Sequence, residues 1–253
     1  MKRLNKLMFQ KACEEVIGQK LESNGIGTLG EKTVHSVLKN YLAPDPSYHE
    51  IKVGRYVVDI YNDHGIIEIQ TRSFEKLRKK LESFLGSASL TIVYPIPRTK
   101  WIRWINPQNG EVSPPRKSPR TGNPYAIFPE LYKIKNYLNH PNLTIKMILM
   151  DMEEYRLLDG WSKDRKKGST RCDRIPTELI DVITIKTARD YQSLIPDSIK
   201  EPFSSKDFKI AAGISLSQSQ ATLNILSHVG AVTKSGKIGN AFLYTRTCLD
   251  QDN

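Results

Sequence analysis

Cysteine is scarce in this chain: Cys13, Cys172 and Cys248 are the 3 in 253 residues, odd in number and far apart. That pattern speaks against a disulfide framework and a cysteine zinc site, and it suits a reducing, cytoplasmic location. Histidine is scarce too, and none of the 5 has metal-ligand spacing; His64 falls in a turn and His35 on a helix, where surface or packing roles are expected. No apolar run approaches the roughly 18 residues that cross a bilayer, so no membrane partner is expected. The segment Met1 to Lys11 breaks its apolar residues with charge, unlike a signal peptide, and reads as an amphipathic helix running on to Leu21. Acid is in deficit as well. With 38 Lys+Arg against 27 Asp+Glu, the net charge is +11 and the pI near 9.5, which points to a polyanionic partner.

What is present is most informative between Tyr56 and Gln70. Residues 55–61 and 66–71 are β-rich runs, and Asn62 to Gly65 is a turn cluster that would join them as an antiparallel hairpin. If Tyr61 and Ile66 close the loop, Asp59 faces Glu68, Val57 faces Gln70, and all four side chains share one face. Two carboxylates about 5 Å apart at an effective dielectric of about 20 repel by roughly 3 kcal/mol. A divalent cation would offset that repulsion, because Mg²⁺ takes one or two carboxylates together with water and phosphate oxygens. The plainer alternative is a register shifted by one residue, or a solvated face.

These residues resemble the PD-(D/E)xK nuclease superfamily, whose core runs helix, hairpin with Asp and Glu-x-Lys, helix, strand. The likeness spans roughly residues 25–96: Glu31 on a helix, Asp59 on one strand, Glu68-Ile-Gln70 on the next, then a helix and a strand. It implies that Asp59 and Glu68 bind Mg²⁺, with Mn²⁺ able to substitute, and that Glu31 completes the metal shell. Gln70 stands where most members carry Lys, although some restriction endonucleases of the superfamily have Glu-x-Gln. Lys52 can compensate if a tight turn at Val53-Gly54 brings it to the face of Asp59. Glu31 has a second reading, as the last member of a capping box Thr28-Leu-Gly-Glu31. The resemblance also allows a homodimer.

Beyond Gln70, apolar residues 74, 77, 81, 84 and 85 predict an amphipathic helix, and Leu90 to Pro95 a buried strand, closing a β-α-β unit. Lys76, Arg78, Lys79 and Lys80 are expected on the outer face, either simply solvated or tracking a phosphate backbone. Residues 98–120 carry Arg98, Lys100, Arg103, Arg116, Lys117 and Arg120 against Glu111 alone, with Trp101 and Trp104 interleaved. They predict a basic hairpin turning at Pro107 to Gly110, able to grip a duplex, or a sheet edge covered by tryptophan. A second basic loop, Lys163 to Arg174, includes Lys166 and Lys167. The acids Asp151, Glu153, Glu154 and Asp159 lie at predicted strand ends and are expected to face water.

Toward the C-terminus, Phe203 to Gly213 and Leu216 to Gly230 predict two helices around a tight turn, followed by a loop at 234–240 and a strand at 241–247. This resembles a winged helix-turn-helix, with Ser217, Gln218, Ser219 and Gln220 opening the recognition helix and Lys234 and Lys237 on the wing. The expected fold is therefore α/β: a restriction-endonuclease-like mixed sheet flanked by helices over residues 1–190, a linker at 191–202, and a small winged-helix domain at 203–253. The expected function is a Mg²⁺-dependent DNA endonuclease. The alternative is a catalytically inactive nuclease-fold regulator or adaptor that binds DNA.

Overall fold

The computed structural model describes residues 2–24, 33–160 and 169–249. They cluster into two compact units, neither a continuous stretch: residues 1–63, 95–123 and 147–183 form one, and 64–94, 124–146 and 184–253 the other.

In the first unit, helix α1 (Lys2–Asn24) buries Phe9, Ala12, Cys13 and Val16, a three- and four-residue stripe. Helix α2 (Thr33–Leu42) buries Val34, Val37 and Leu38, and Phe9 meets Tyr41 edge to face at 5.3 Å. Strands β1 (His49–Val53) and β2 (Tyr56–Asn62) pair antiparallel around Gly54-Arg55, with Val53 opposite Tyr56 and Lys52 opposite Val57. Along β2 the sides alternate: Val58 and Ile60 are fully buried, while Val57 and Tyr61 are exposed. Strand β4 (Leu90–Ile105) runs into this unit, and its arm returns as the short β5 (Arg116–Lys117), pairing Trp101 with Lys117 and Ile102 with Arg116. The predicted basic hairpin is thus a real element, continuous with a 16-residue strand. Strand β6 (Leu143–Leu157) carries Asp151, Glu153 and Glu154 within it rather than at its end, and β7 (Thr170–Ile185) follows.

In the second unit, β3 (Gly65–Ile69) pairs in parallel with the start of β4, Ile66 opposite Leu90 through Ile69 opposite Val93. A 3-10 turn at Phe74–Leu77 and helix α3 (Arg78–Phe84) connect them, burying Phe74, Leu77, Leu81 and Phe84. The α-helix is shorter than its apolar spacing suggests, because Phe74–Leu77 are wound as a 3-10 turn, entered from Ser73 in a left-handed conformation at φ 63°. Helices α4 (Phe128–Lys133) and α5 (Ala188–Gln192) precede the C-terminal elements. The stretch expected to be a linker is packed, with Tyr191, Leu194, Ile195 and Ile199 buried. Helix α6 (Ser205–Ala212) starts in a capping box of Ser204 and Asp207 and ends at Gly213, φ 64°. Helix α7 (Leu216–His228) buries Leu223, Ile225 and Leu226. The segment predicted as a loop at 234–240 is mostly strand: β8 (Val232–Ile238) pairs with β9 (Ala241–Arg246) around Gly239-Asn240.

The main sheet is mixed and seven-stranded, in the order β1-β2-β3-β4-β6-β7 with β5 added to β4. Helices flank it, which bears out the α/β class. Among the described residues no helix is long and apolar enough to cross a membrane.

Candidate functional site

The two acids of the sequence motif each have a named basic neighbour within their own unit. On β3, Glu68 is 3% exposed, and the Lys80 ammonium donates to its Oε1 at 2.6 Å. Lys80 lies on α3 one residue before the buried Leu81, at the flank of the inward stripe. The outward, DNA-facing placement expected of it is therefore corrected: a carboxylate this deeply buried is stable only with a charge partner, and Lys80 supplies one. Lys76 and Lys79 do lie exposed, whereas Arg78 is turned to the Lys133 carbonyl. The Gln70 side chain donates to the carbonyl of Arg72.

On β2, Asp59 Oδ2 lies 3.1 Å from His35 Nε2 of α2. The sequence singled out His35 without linking it to Asp59, since the two lie on different elements well separated along the chain. Lys52, opposite Val57 in the β1-β2 register, shares the face of Val57 and Asp59, as a tight turn requires. Glu31 and the capping box with Thr28 lie outside the described residues, as do Lys166 and Lys167.

Each motif acid is a hard oxygen donor of the type Mg²⁺ selects. Among the described residues no group of three or more His, Cys, Asp or Glu side chains is arranged to hold a metal.

The largest departure from expectation is on β6. Glu154 is fully buried rather than facing water. Its Oε1 accepts from Arg156, whose Nε is at 2.7 Å; its Oε2 faces Arg174 Nε at 3.2 Å, Lys100 Nζ at 3.3 Å and Arg171 Nε at 3.5 Å. Burial alone would push the Glu154 carboxyl up, but Lys100 and the arginines bring it down to about 2. Burial also draws the Lys100 ammonium below its ordinary value against the pull of Glu154, with Arg174 and Arg156 adding to the fall. Beside this cluster Arg103 forks onto Glu153 at 2.8 and 2.9 Å, and Asp151 accepts from the Thr99 backbone at 2.8 Å. Arg103 was expected to meet DNA; its guanidinium is committed to Glu153 instead. Sequence alone hides the pairs of Lys100 and Arg103, whose acids lie 54 and 50 residues further along the chain. Arg116, Lys117 and Arg120 remain exposed, with Lys117 over the Trp101 ring at 5.9 Å.

In the C-terminal elements Ser217 and Gln220 are exposed, but Gln218 reciprocates the Ser215 cap, so it is a capping residue rather than an open reader. Ser219 is buried and donates to the Ser205 carbonyl. Lys234 and Lys237 flank the Phe242 ring at 4.1 and 4.5 Å. A cleft of about 680 Å³ opens here, lined among others by Lys206, Gln220, Asn224, His228, Lys234 and Phe242.

The family model described as "Domain of unknown function (DUF8091)" matches residues 32–186, more than half of the chain. This chain belongs to the DUF8091 family. The DUF8091 match takes in α2 through β7, and with them Asp59, Glu68, Lys80 and the Glu154 cluster; α5 to β9 follow it. An uncharacterized protein of Treponema pallidum (strain Nichols) is 28% identical over 228 residues, covering 87% of either chain. No solved structure matches.

Proposed function

We propose that this protein is a Mg²⁺-dependent DNA endonuclease with a winged-helix DNA-binding module. The observation that carries the reading is the buried Glu68 on β3 with Lys80 Nζ at 2.6 Å, in a β-α-β unit whose strands run parallel. A core strand keeps an ionised acid at some cost, and acids and amines held that way concentrate at reactive sites. The element order supports it further: α2, then β1-β2-β3, then α3 and β4, the order of the PD-(D/E)xK core with Asp59 and Glu68 on successive strands.

Glu68 and, by the sequence order, Asp59 would hold the ion. When bound, Mg²⁺ polarises a phosphate and acidifies a water. Lys80 supplies the ammonium that Gln70 lacks, donating toward charge that develops on the phosphate. His35 orients the Asp59 carboxylate, and Lys52, on the same face of the β1-β2 pair, attracts the substrate. The helix-turn-helix of α6 and α7 followed by the β8-β9 pair supports the winged-helix reading, with Ser217, Gln220, Lys234 and Lys237 toward the DNA.

A second reading has its own observation. The same Lys80 that would assist catalysis also neutralises Glu68 without any metal, and Gln70 is turned to a carbonyl of its own chain. On that reading the protein is a DNA-binding regulator that does not cleave. Labelled linear, nicked, forked and single-stranded DNA, incubated with Mg²⁺, Mn²⁺ or EDTA, separates the two. Metal-dependent products that vanish in Glu68→Gln support the nuclease; salt-sensitive binding with no products on any substrate supports the regulator.

A further inference from the structure

The cleft of about 680 Å³ opens between helix α7 and the β8-β9 wing, with every lining residue inside the second unit. Its α7 wall is Gln220, Asn224, Ser227 and His228, whose spacing places them on a single stripe of the helix. The wing supplies Lys234, Ile238, Asn240 and Phe242 opposite that stripe. Lys206, in the first turn of α6, and Lys135, two residues beyond α4, also line it.

Three kinds of chemistry meet in this lining. Lys135, Lys206 and Lys234 are cationic, and no Asp or Glu lines the cleft. The contacts that hold two of these ammonium groups are to neutral partners: Lys135 donates to Asn224 Oδ1 at 3.0 Å, and Lys234 lies over the Phe242 ring at 4.1 Å. Apolar surface stands beside them in Ile238 and Phe242, 71% and 38% exposed. The amides of Gln220, Asn224 and Asn240 add donors and acceptors. Cations suit a phosphate, apolar and aromatic surface a base face, and amides a base edge, so the ligand that answers all three is a nucleotide. Size then selects its form. The volume falls in the range of about 300–1,000 Å³ typical of small-molecule sites. A duplex engages a recognition helix from outside, taking it into the major groove, and does not enter a cleft of that size. The lysines come from three separate segments, more positive charge than one free nucleotide needs, whereas a strand brings a phosphate with every residue.

We infer that the cleft between α7 and the wing seats an unpaired segment of a DNA strand. The inference rests on the winged-helix reading, names the DNA structure which that module selects, and needs no metal. The full chain is therefore titrated in EDTA, by fluorescence anisotropy, against a labelled blunt duplex and the same duplex carrying a single-stranded tail at its 5′ or 3′ end. The wild type is expected to bind one of the tailed duplexes about tenfold tighter than the blunt one, the gain of stacking an unpaired base. Asn224→Trp, an exposed change that fills the cleft, is expected to bring that ratio to within about twofold of unity. Lys206→Gln, compared with the equally charged Lys209→Gln on the same helix but outside the cleft, is expected to weaken tailed binding about threefold more, and it carries the test if Asn224→Trp melts early. Equal affinity of the wild type for tailed and blunt DNA overturns the inference and leaves duplex binding by the winged helix standing. A tail preference that survives Asn224→Trp in a folded protein overturns it too. Excess free mononucleotide is expected to leave the tailed complex intact; displacement assigns the cleft to a small nucleotide and overturns the strand. Failure to bind any of these DNAs at low salt sinks the winged-helix reading itself.

Discussion

Lys80 Nζ lies 2.6 Å from Glu68 Oε1, and the acid of this pair is almost wholly buried while the lysine is only partly so. Removing either partner breaks this ion pair. Glu68→Met or Lys80→Met alone is expected to lower stability by about 3 kcal/mol, and the double Met variant by clearly less than the sum. Urea unfolding of the four proteins gives the coupling; strict additivity would mean the pair is not energetically linked. On the nuclease reading Lys80→Gln also cuts metal-dependent cleavage by about a hundredfold, while DNA affinity in EDTA stays near wild type.

The Glu154 cluster sets an acid limit on stability. Its carboxyl titrates at about 2 in the folded protein against an ordinary 4.5, so folding favours the ionised form. The contribution is complete above pH 4.5 and is lost as pH falls through about 2. Glu154→Gln is therefore expected to melt lower at neutral pH and to show a flatter decline between pH 4.5 and 2. Melting curves across that range check it, and parallel declines would mean that another acid governs the transition.

The α/β class, the strands that carry Asp59 and Glu68, the β-α-β unit and the order of α6, α7 and β9 were legible in sequence because each is carried by local periodicity and turn residues. The side of Lys52 was legible only on condition of a tight turn at Val53-Gly54, and the observed turn at Gly54-Arg55 meets that condition. Side-chain partners were not. Lys80 is one residue off the apolar stripe, and its direction depends on which acid lies beneath it. Glu154 lies within a run of acids that looks like a water-facing strand end, and only Lys100, Arg171 and Arg174, brought in by neighbouring strands, turn it into a core position. Gln218 read as a base contact because an N3 cap and an exposed recognition residue share one sequence signature.

Gly65 fixes the start of β3. It sits at φ 102°, and a Cβ there would come within 2.4 Å of the carbonyl oxygen of Ser89, the residue just before β4, with which β3 pairs. Gly65→Ala combines backbone strain with displacement of the parallel partner, and is expected to cost about 2 kcal/mol. Gly86→Ala, where no atom lies within 4 Å of the added carbon, is the control and should stay within about 0.5 kcal/mol of wild type. Equal stability of the two variants would refute the close-approach argument.

The wing joins charge to an aromatic platform in a way that predicts different results for different substitutions. Lys234 and Lys237 both lie over Phe242, at 4.1 and 4.5 Å, and the ring is itself partly exposed. Cation–π contact keeps two like charges side by side despite their repulsion. If the wing meets a phosphate backbone, Lys234→Gln with Lys237→Gln removes two contacts and makes the salt dependence of DNA binding shallower by about two. Phe242→Leu keeps both charges and loses only the platform, so its slope should match wild type while affinity drops about threefold, the loss of a weak ring contact. Salt titrations in EDTA read both quantities from the same curves. An unchanged slope in the double lysine variant would remove the wing from the DNA-binding surface and assign the α6-α7 module to protein contacts instead.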